Sequence, residues 1–182
     1  MRTLDNRNHM TPSRFVPWAL VWLLAACAPA LDWREVRPAG GDIKLLLPCK
    51  PEHQTRSVKL GPDSVRLTLH ACNAAGATWA LAFGDMAEPG QVGPALDELL
   101  ASNQRNLSGG DPETLPLKVE GATPHPQSRR VRFTGRMPDG RQVNVEVAVF
   151  ARGMRVYQAT LLGERVEAEA VQTFFGNLRP GS

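Results

Sequence analysis

The stretch Arg141-Gln-Val-Asn-Val-Glu-Val-Ala-Val-Phe-Ala-Arg-Gly-Met-Arg-Val-Tyr-Gln-Ala-Thr-Leu-Leu162 decides the fold class. Val143, Val145, Val147 and Val149 recur at every second position, the period at which side chains share one face of a strand. Arg152-Gly153 breaks the run where a tight turn fits, and Met154 to Leu162 resumes it, so the segment reads as a hairpin. Immediately upstream, Arg129 to Thr134 carries Val131 and Phe133, and Pro138-Asp139-Gly140 connects it to the strand Arg141 to Phe150. Connections this short force antiparallel neighbours.

The same period extends toward the N-terminus. Asp42 to Pro48 is a strongly apolar run, Ser57 to Leu60 a weaker one, Ser64 to Ala71 alternates cleanly, and Ala77 to Phe83 continues the meander. Gly61-Pro62-Asp63 and Asn73 to Gly76 supply the turns. Two segments switch to helical spacing. Val92, Leu96, Leu99, Leu100, Asn103 and Leu107 predict a first helix, with Pro94 in its first turn and Gly109-Gly110 ending it. Val166, Ala170, Val171, Phe174, Phe175 and Leu178 predict a second, closed by Pro180-Gly181. A further strand is expected near Leu117 to Glu120. The expected architecture is α+β: a single antiparallel β-sheet covered by two helices, over residues 39–180.

Composition fits one folded domain. The chain has 182 residues, 42% hydrophobic and 21% charged, with 16 Gly and 15 Pro that follow no fixed period. Its formal charge is +3, but Arg2, Arg7 and Arg14 against Asp5 account for most of that, leaving 18 basic and 17 acidic side chains beyond residue 26. Such a balance gives no reason to expect a nucleic-acid partner.

Phe15 to Ala26 is almost wholly apolar and follows a segment with three arginines. It is shorter than the roughly 20 residues that a spanning helix needs, and it has the length of a secretory signal core. Its end, Leu24-Ala25-Ala26-Cys27, resembles the lipobox of bacterial lipoproteins. That resemblance implies a signal peptide at 1–26, cleaved to leave Cys27 as the first mature residue carrying diacylglycerol and a further acyl chain, and a lipidated N-terminus and tether at 27–38. Two or more chains make a durable membrane anchor where one does not. With Ala28 rather than Asp after the cysteine, the resemblance implies the outer membrane, facing the periplasm. A plain secretory cleavage after Ala26 or near Ala30 is the alternative, and Met10 is an alternative start.

Cys49 and Cys72 then remain as an even pair in an oxidising compartment, and a disulfide is expected. A zinc site made by these cysteines with His53 and His70 is the competing reading. Alternation puts Cys49 on the face of Ile43, Leu45 and Leu47, but sets Cys72 opposite Leu67, Leu69 and Ala71. A bulge or turn near Pro48 or Asn73 must therefore reorient one of them.

The run Ile43-Lys-Leu-Leu-Leu-Pro-Cys-Lys-Pro51, the early helix, the late hairpin and the closing Ala170-Val-Gln-Thr-Phe-Phe-Gly-Asn-Leu178 together resemble the Mog1/PsbP-like α/β/α sandwich over nearly the whole mature chain. Members of that fold bind diverse partners and are not, as a group, enzymes, so the resemblance implies a fold and no particular activity.

Catalytic spacings are missing: there is no Gly-x-Ser-x-Gly, His-Glu-x-x-His, phosphate-binding glycine loop, calcium loop or Cys-x-x-Cys. No cofactor or metal is implied. His53, His70 and His125 read as surface groups, and are the residues a small hydrolase or metal-dependent enzyme would use instead. One distribution stands out. Eight arginines lie between Ser128 and Arg165 against three acids, whereas Phe83 to Glu120 has seven acids against two bases. Of these, Arg129, Arg130, Arg132, Arg136, Arg141 and Arg155 are the candidate surface for an anionic envelope component or another envelope protein, with compensation by neighbouring acids as the alternative. Trp33 either rests at the membrane interface or packs on the sheet. The expected function is a lipid-anchored envelope protein whose domain is a noncatalytic binding or assembly module.

Overall fold

The alternating runs fold into two antiparallel sheets rather than one. The computed structural model describes residues 30–61 and 63–181. The elements in chain order are β1 (Arg34–Val36), β2 (Ile43–Leu47), β3 (Glu52–Leu60), β4 (Asp63–Ala74), β5 (Ala77–Asp85), α1 (Val92–Asn106), β6 (Glu113–Leu115), β7 (Arg129–Arg136), β8 (Gln142–Arg152), β9 (Arg155–Gly163), α2 (Ala168–Gly176) and β10 (Arg179–Pro180). The large sheet has the order β3-β4-β5-β9-β8-β7-β6, and the small one β1-β2-β10.

The small sheet and α2 lie on one face of the large sheet. Ile43, Leu45 and Leu47 of β2 are at most 4% exposed and meet Trp79, Leu81, Phe150 and Tyr157 of the large sheet together with Phe174 and Phe175 of α2. On the opposite face the valines of β8 and Val131 and Phe133 of β7 pack against Leu96, Leu99 and Leu100 of α1. The valine period thus builds one wall of the core and the intervening positions of β8 build the other.

The expectation of an α+β domain, a single sheet covered by two helices as an α/β/α sandwich, is therefore corrected: the domain is mostly β, with two sheets and two short helices. β2 does not join its sequence neighbour β3. Pro48 and Pro51 flank the connection, and neither has an N–H to give a ladder, so the chain leaves the small sheet there and enters the large one. The helices are 15 and 9 residues long, too little to cover a seven-stranded sheet. Residues 117–120 are not a strand; β6 forms upstream and pairs with β7, Thr114 opposite Val131. The weak run at Ser57 to Leu60 is the end of the nine-residue β3.

Two local features set the geometry of the β4–β5 pair. Ala75 and Gly76 both have positive φ, 50° and 72°, which matches the turn that joins right-twisted antiparallel strands. Gly84 lies so close to β4 that a Cβ there would stand 2.7 Å from the carbonyl oxygen of Arg66.

Candidate functional site

Cys27, and the signal segment before it, lie outside the described residues. Among the described residues no helix is long and apolar enough to cross a membrane.

Cys49 and Cys72 form a disulfide. Cys49 follows β2 and Cys72 lies in β4, so the bond staples the small sheet to the large one. No bulge is needed to bring them together. Cys49 faces the large sheet as Ile43, Leu45 and Leu47 do, and Cys72 faces the small sheet beside Trp79. With both sulfurs bonded to each other, the zinc reading loses its thiolates, and no group of three His, Cys, Asp or Glu among the described residues is placed to hold a metal.

The structure disperses the six candidate arginines instead of gathering them. Arg129 pairs with Asp97 of α1 at 2.8 Å. Arg130 and Arg132 point to the other face of β7, where both engage Glu146. Arg132 gives two bonds to one carboxylate oxygen, 3.1 Å from Nε and 3.0 Å from Nη2, and Arg130 gives its Nε to the other. The guanidinium of Arg130 also lies 4.1 Å from the centre of the Phe175 ring. Glu146 is the buried charged residue of the core, with Arg130 12% exposed and Arg132 49%. Arg141 pairs with Asp139 and Glu164 in a hairpin, and the hydrogen bonds from Arg141 hold the Asp139 carboxyl below the usual range. Arg136 donates to the carbonyl of Gly140.

Arg155 is a clamp between the layers. It grips both carboxylate oxygens of Asp85 at 2.6 and 2.8 Å, and reaches Asp42 and the carbonyl of Gly40 in the β1–β2 connection. The Arg155 hydrogen bonds lower the Asp85 pKa. Beside it the buried Tyr157 hydroxyl donates to the Gly41 carbonyl at 2.7 Å, and burial raises its pKa.

Two of the three candidate histidines are brought together. His53 of β3 stands directly opposite His70 of β4, with the rings stacked at 5.6 Å, and His70 stacks in turn at 6.1 Å on Phe83 of β5. Burial, and then the nearby His53, lower the pKa of His70. His125 is elsewhere, beside Gly93 of α1, with Nδ1 accepting from the Gln127 amide at 3.3 Å.

Sequence reasoning missed the wing that these histidines belong to. Glu52 to Ser57 are exposed on both faces of β3, and the small sheet stops short of them. On the side facing the small sheet, the cross-strand pairs are His53–His70, Thr55–Thr68 and Ser57–Arg66, with the two threonine hydroxyls 3.0 Å apart. This polar shelf runs into an open recess of about 290 Å³ lined by Thr55, Arg66, Thr68, Phe83 and Arg155. On the reverse side of the wing a second open depression of about 470 Å³ is lined by Lys50, Glu52, Gln54, Leu69, Ala71 and Asn73, with the disulfide at its rim. The available signal was negative: Glu52-His-Gln-Thr-Arg-Ser57 is a strand without an apolar face.

No family model matches the chain, and no curated protein matches it.

Proposed function

We propose that this chain is a lipid-anchored cell-envelope protein, held by Cys27 at the outer membrane on its periplasmic side, whose domain binds another envelope protein through the β3–β4 wing. The lipobox-like Leu24-Ala25-Ala26-Cys27 supports the anchor, and the inter-sheet disulfide is in keeping with an oxidising compartment. Most of the charge of the candidate arginines is engaged by acids of the same chain, which favours a partner surface elsewhere.

The observation that carries the binding reading is the exposure of six consecutive residues, Glu52 to Ser57, in an edge strand of the large sheet. Among the described residues no strand pairs with the outer edge of β3, and such an edge is the usual template for adding a strand from another chain. Its Glu, His, Arg and Lys side chains oppose indiscriminate pairing and leave room for a matched partner.

A photo-crosslinking side chain at Thr55 in the native envelope is expected to give a discrete adduct to one protein, while the same probe at Gly140, in the β7–β8 turn, gives none. In parallel, labelled palmitate is expected to enter the wild type and not Cys27→Ser. Adducts at neither position, or equal adducts at both, contradict the binding surface; palmitate-free wild type contradicts the anchor.

A further inference from the structure

We infer that the domain stands on the phospholipid headgroup layer on one defined pole, formed by the β4–β5 turn and the β2–β3 connection, with the strands of the large sheet rising away from the membrane. This rests on the anchoring through Cys27 proposed above. The reach of the tether sets the orientation. Only Ala28 and Pro29 separate Cys27 from Ala30, the first described residue. Three residue steps span at most about 11 Å when fully extended.

The folded domain does not lengthen that tether. The amide of Asp32 donates to the carbonyl of Pro48 at 2.9 Å, and Leu31 already packs against the core. The Trp33 ring meets Trp79 edge-on at 5.6 Å, and Trp79 is 0% exposed. Peeling the chain back past Trp33 would uncover the fully buried Trp79. Since the headgroup layer alone is several ångströms thick on each side of the hydrocarbon, most of the available tether is consumed before the chain clears the lipid. The pole therefore lies in contact with the headgroups.

Which pole this is follows from topology. Antiparallel β1 begins where β2 ends, so the chain emerges beside Pro48 and Cys49. The disulfide ties that point to Cys72, with Cα atoms 5.9 Å apart, and the Ala74 to Ala77 turn is the next feature along β4. Ala77 stands opposite Gly163, which brings Glu164 and Arg165 to the same end. The tip of this pole, Ala74-Ala75-Gly76, carries no charge, so its entry among headgroups strips water from no ion. Lys50 and Arg165 flank it, each placed to attract an anionic surface, while Glu164 is engaged by Arg141. The opposite pole holds the β8–β9 turn with Met154, 46% exposed. At about 3.3 Å per residue, β9 sets Met154 roughly 30 Å farther from the bilayer.

The acylated protein, purified from membranes and placed in phosphatidylethanolamine–phosphatidylglycerol vesicles with a quencher on the headgroups, tests this. A fluorophore on a bioorthogonal side chain at Lys50 or at Ala75 is expected to be quenched severalfold more than one at Met154. Inserting 20 Gly-Ser residues after Ala28, which gives a flexible span of roughly 25 Å, is expected to bring the ratio toward one. Equal quenching at the two poles in the acylated protein, or a ratio that the insertion leaves untouched, overturns the inference and leaves the anchor standing. A mass without acyl chains overturns the anchor and takes this inference with it.

Discussion

Cys49 and Cys72 are bonded across two sheets, not between two strands of one. That single relationship removes the conflict between their positions in the alternation. Residues that point down from the small sheet and residues that point up from the large sheet face one another, so opposite parities are what a bond between layers requires. It also fixes the small sheet over Trp79, where three strands of only 3, 5 and 2 residues have little ladder of their own.

Removing the bond is expected to loosen this cover. The cysteines are separated by 23 positions, for which loop closure in the unfolded chain is worth about 3 kcal/mol. The double substitution Cys49→Ala with Cys72→Ala, or reduction under native conditions, should lower unfolding stability in urea by about that amount. A loss below about 1 kcal/mol would show that the small sheet is held by packing alone.

Glu146 is expected to behave as a structural hub. Glu146→Ala leaves Arg130, 12% exposed, facing Arg132 without a counter-charge. Removing one member of a buried ionic group costs about 3–5 kcal/mol, whereas an exposed member costs about 1 or less. Arg132→Ala, at 49% exposure, is the second case. Urea unfolding of the two variants should separate them clearly, and equal losses would refute the hub.

How much of this was legible in the sequence depends on what a pattern can carry. Val143 to Val149 and Val65, Leu67 and Leu69 declare which positions share a face, so β4, β5, β7, β8 and β9 and both helices are found near where the spacing puts them. Alternation does not say what covers that face. Ile43, Leu45 and Leu47 read as one more strand of the same sheet, and only the prolines around Cys49 hint that the chain changes layer. The candidate site fared worse. Charge counts revealed the arginine excess, but the pairing of Arg129 with Asp97 and of Arg155 with Asp85 joins residues 32 and 70 positions apart. His53 and His70 were candidates individually; their stacking follows from the register of β3 on β4, which a strand without an apolar face leaves unspecified.

Gly84 is expected to tolerate no side chain. A Cβ would lie 2.6 Å from Leu67 Cδ2 and 2.7 Å from the Arg66 carbonyl oxygen. The leucine can turn away; the backbone of a central strand cannot. Gly84→Ala should therefore destabilise by about 1–3 kcal/mol. Gly90→Ala, where nothing lies within 4 Å, should change stability by about 0.5 kcal/mol at most. Similar thermal midpoints for the two variants would contradict the close approach of β5 to β4.

The stacked histidines make the stability of the domain depend on pH. Burial, with the His53 charge as the second cause, lowers the His70 pKa from its ordinary 6.5. As pH falls through about 6.5 the unfolded chain takes up a proton before the folded one does, so protonation favours unfolding. The stability associated with this group is complete above about 6.5 and declines as pH drops toward the lower folded value, below which the decline stops. An NMR titration should put the His70 midpoint below 6.5. His53→Gln removes the charge and keeps the burial, so the His70 midpoint should rise in that variant without reaching 6.5. A wild-type midpoint at or above 6.5, or one that falls on His53→Gln, would mean that the two rings do not share the wing as described.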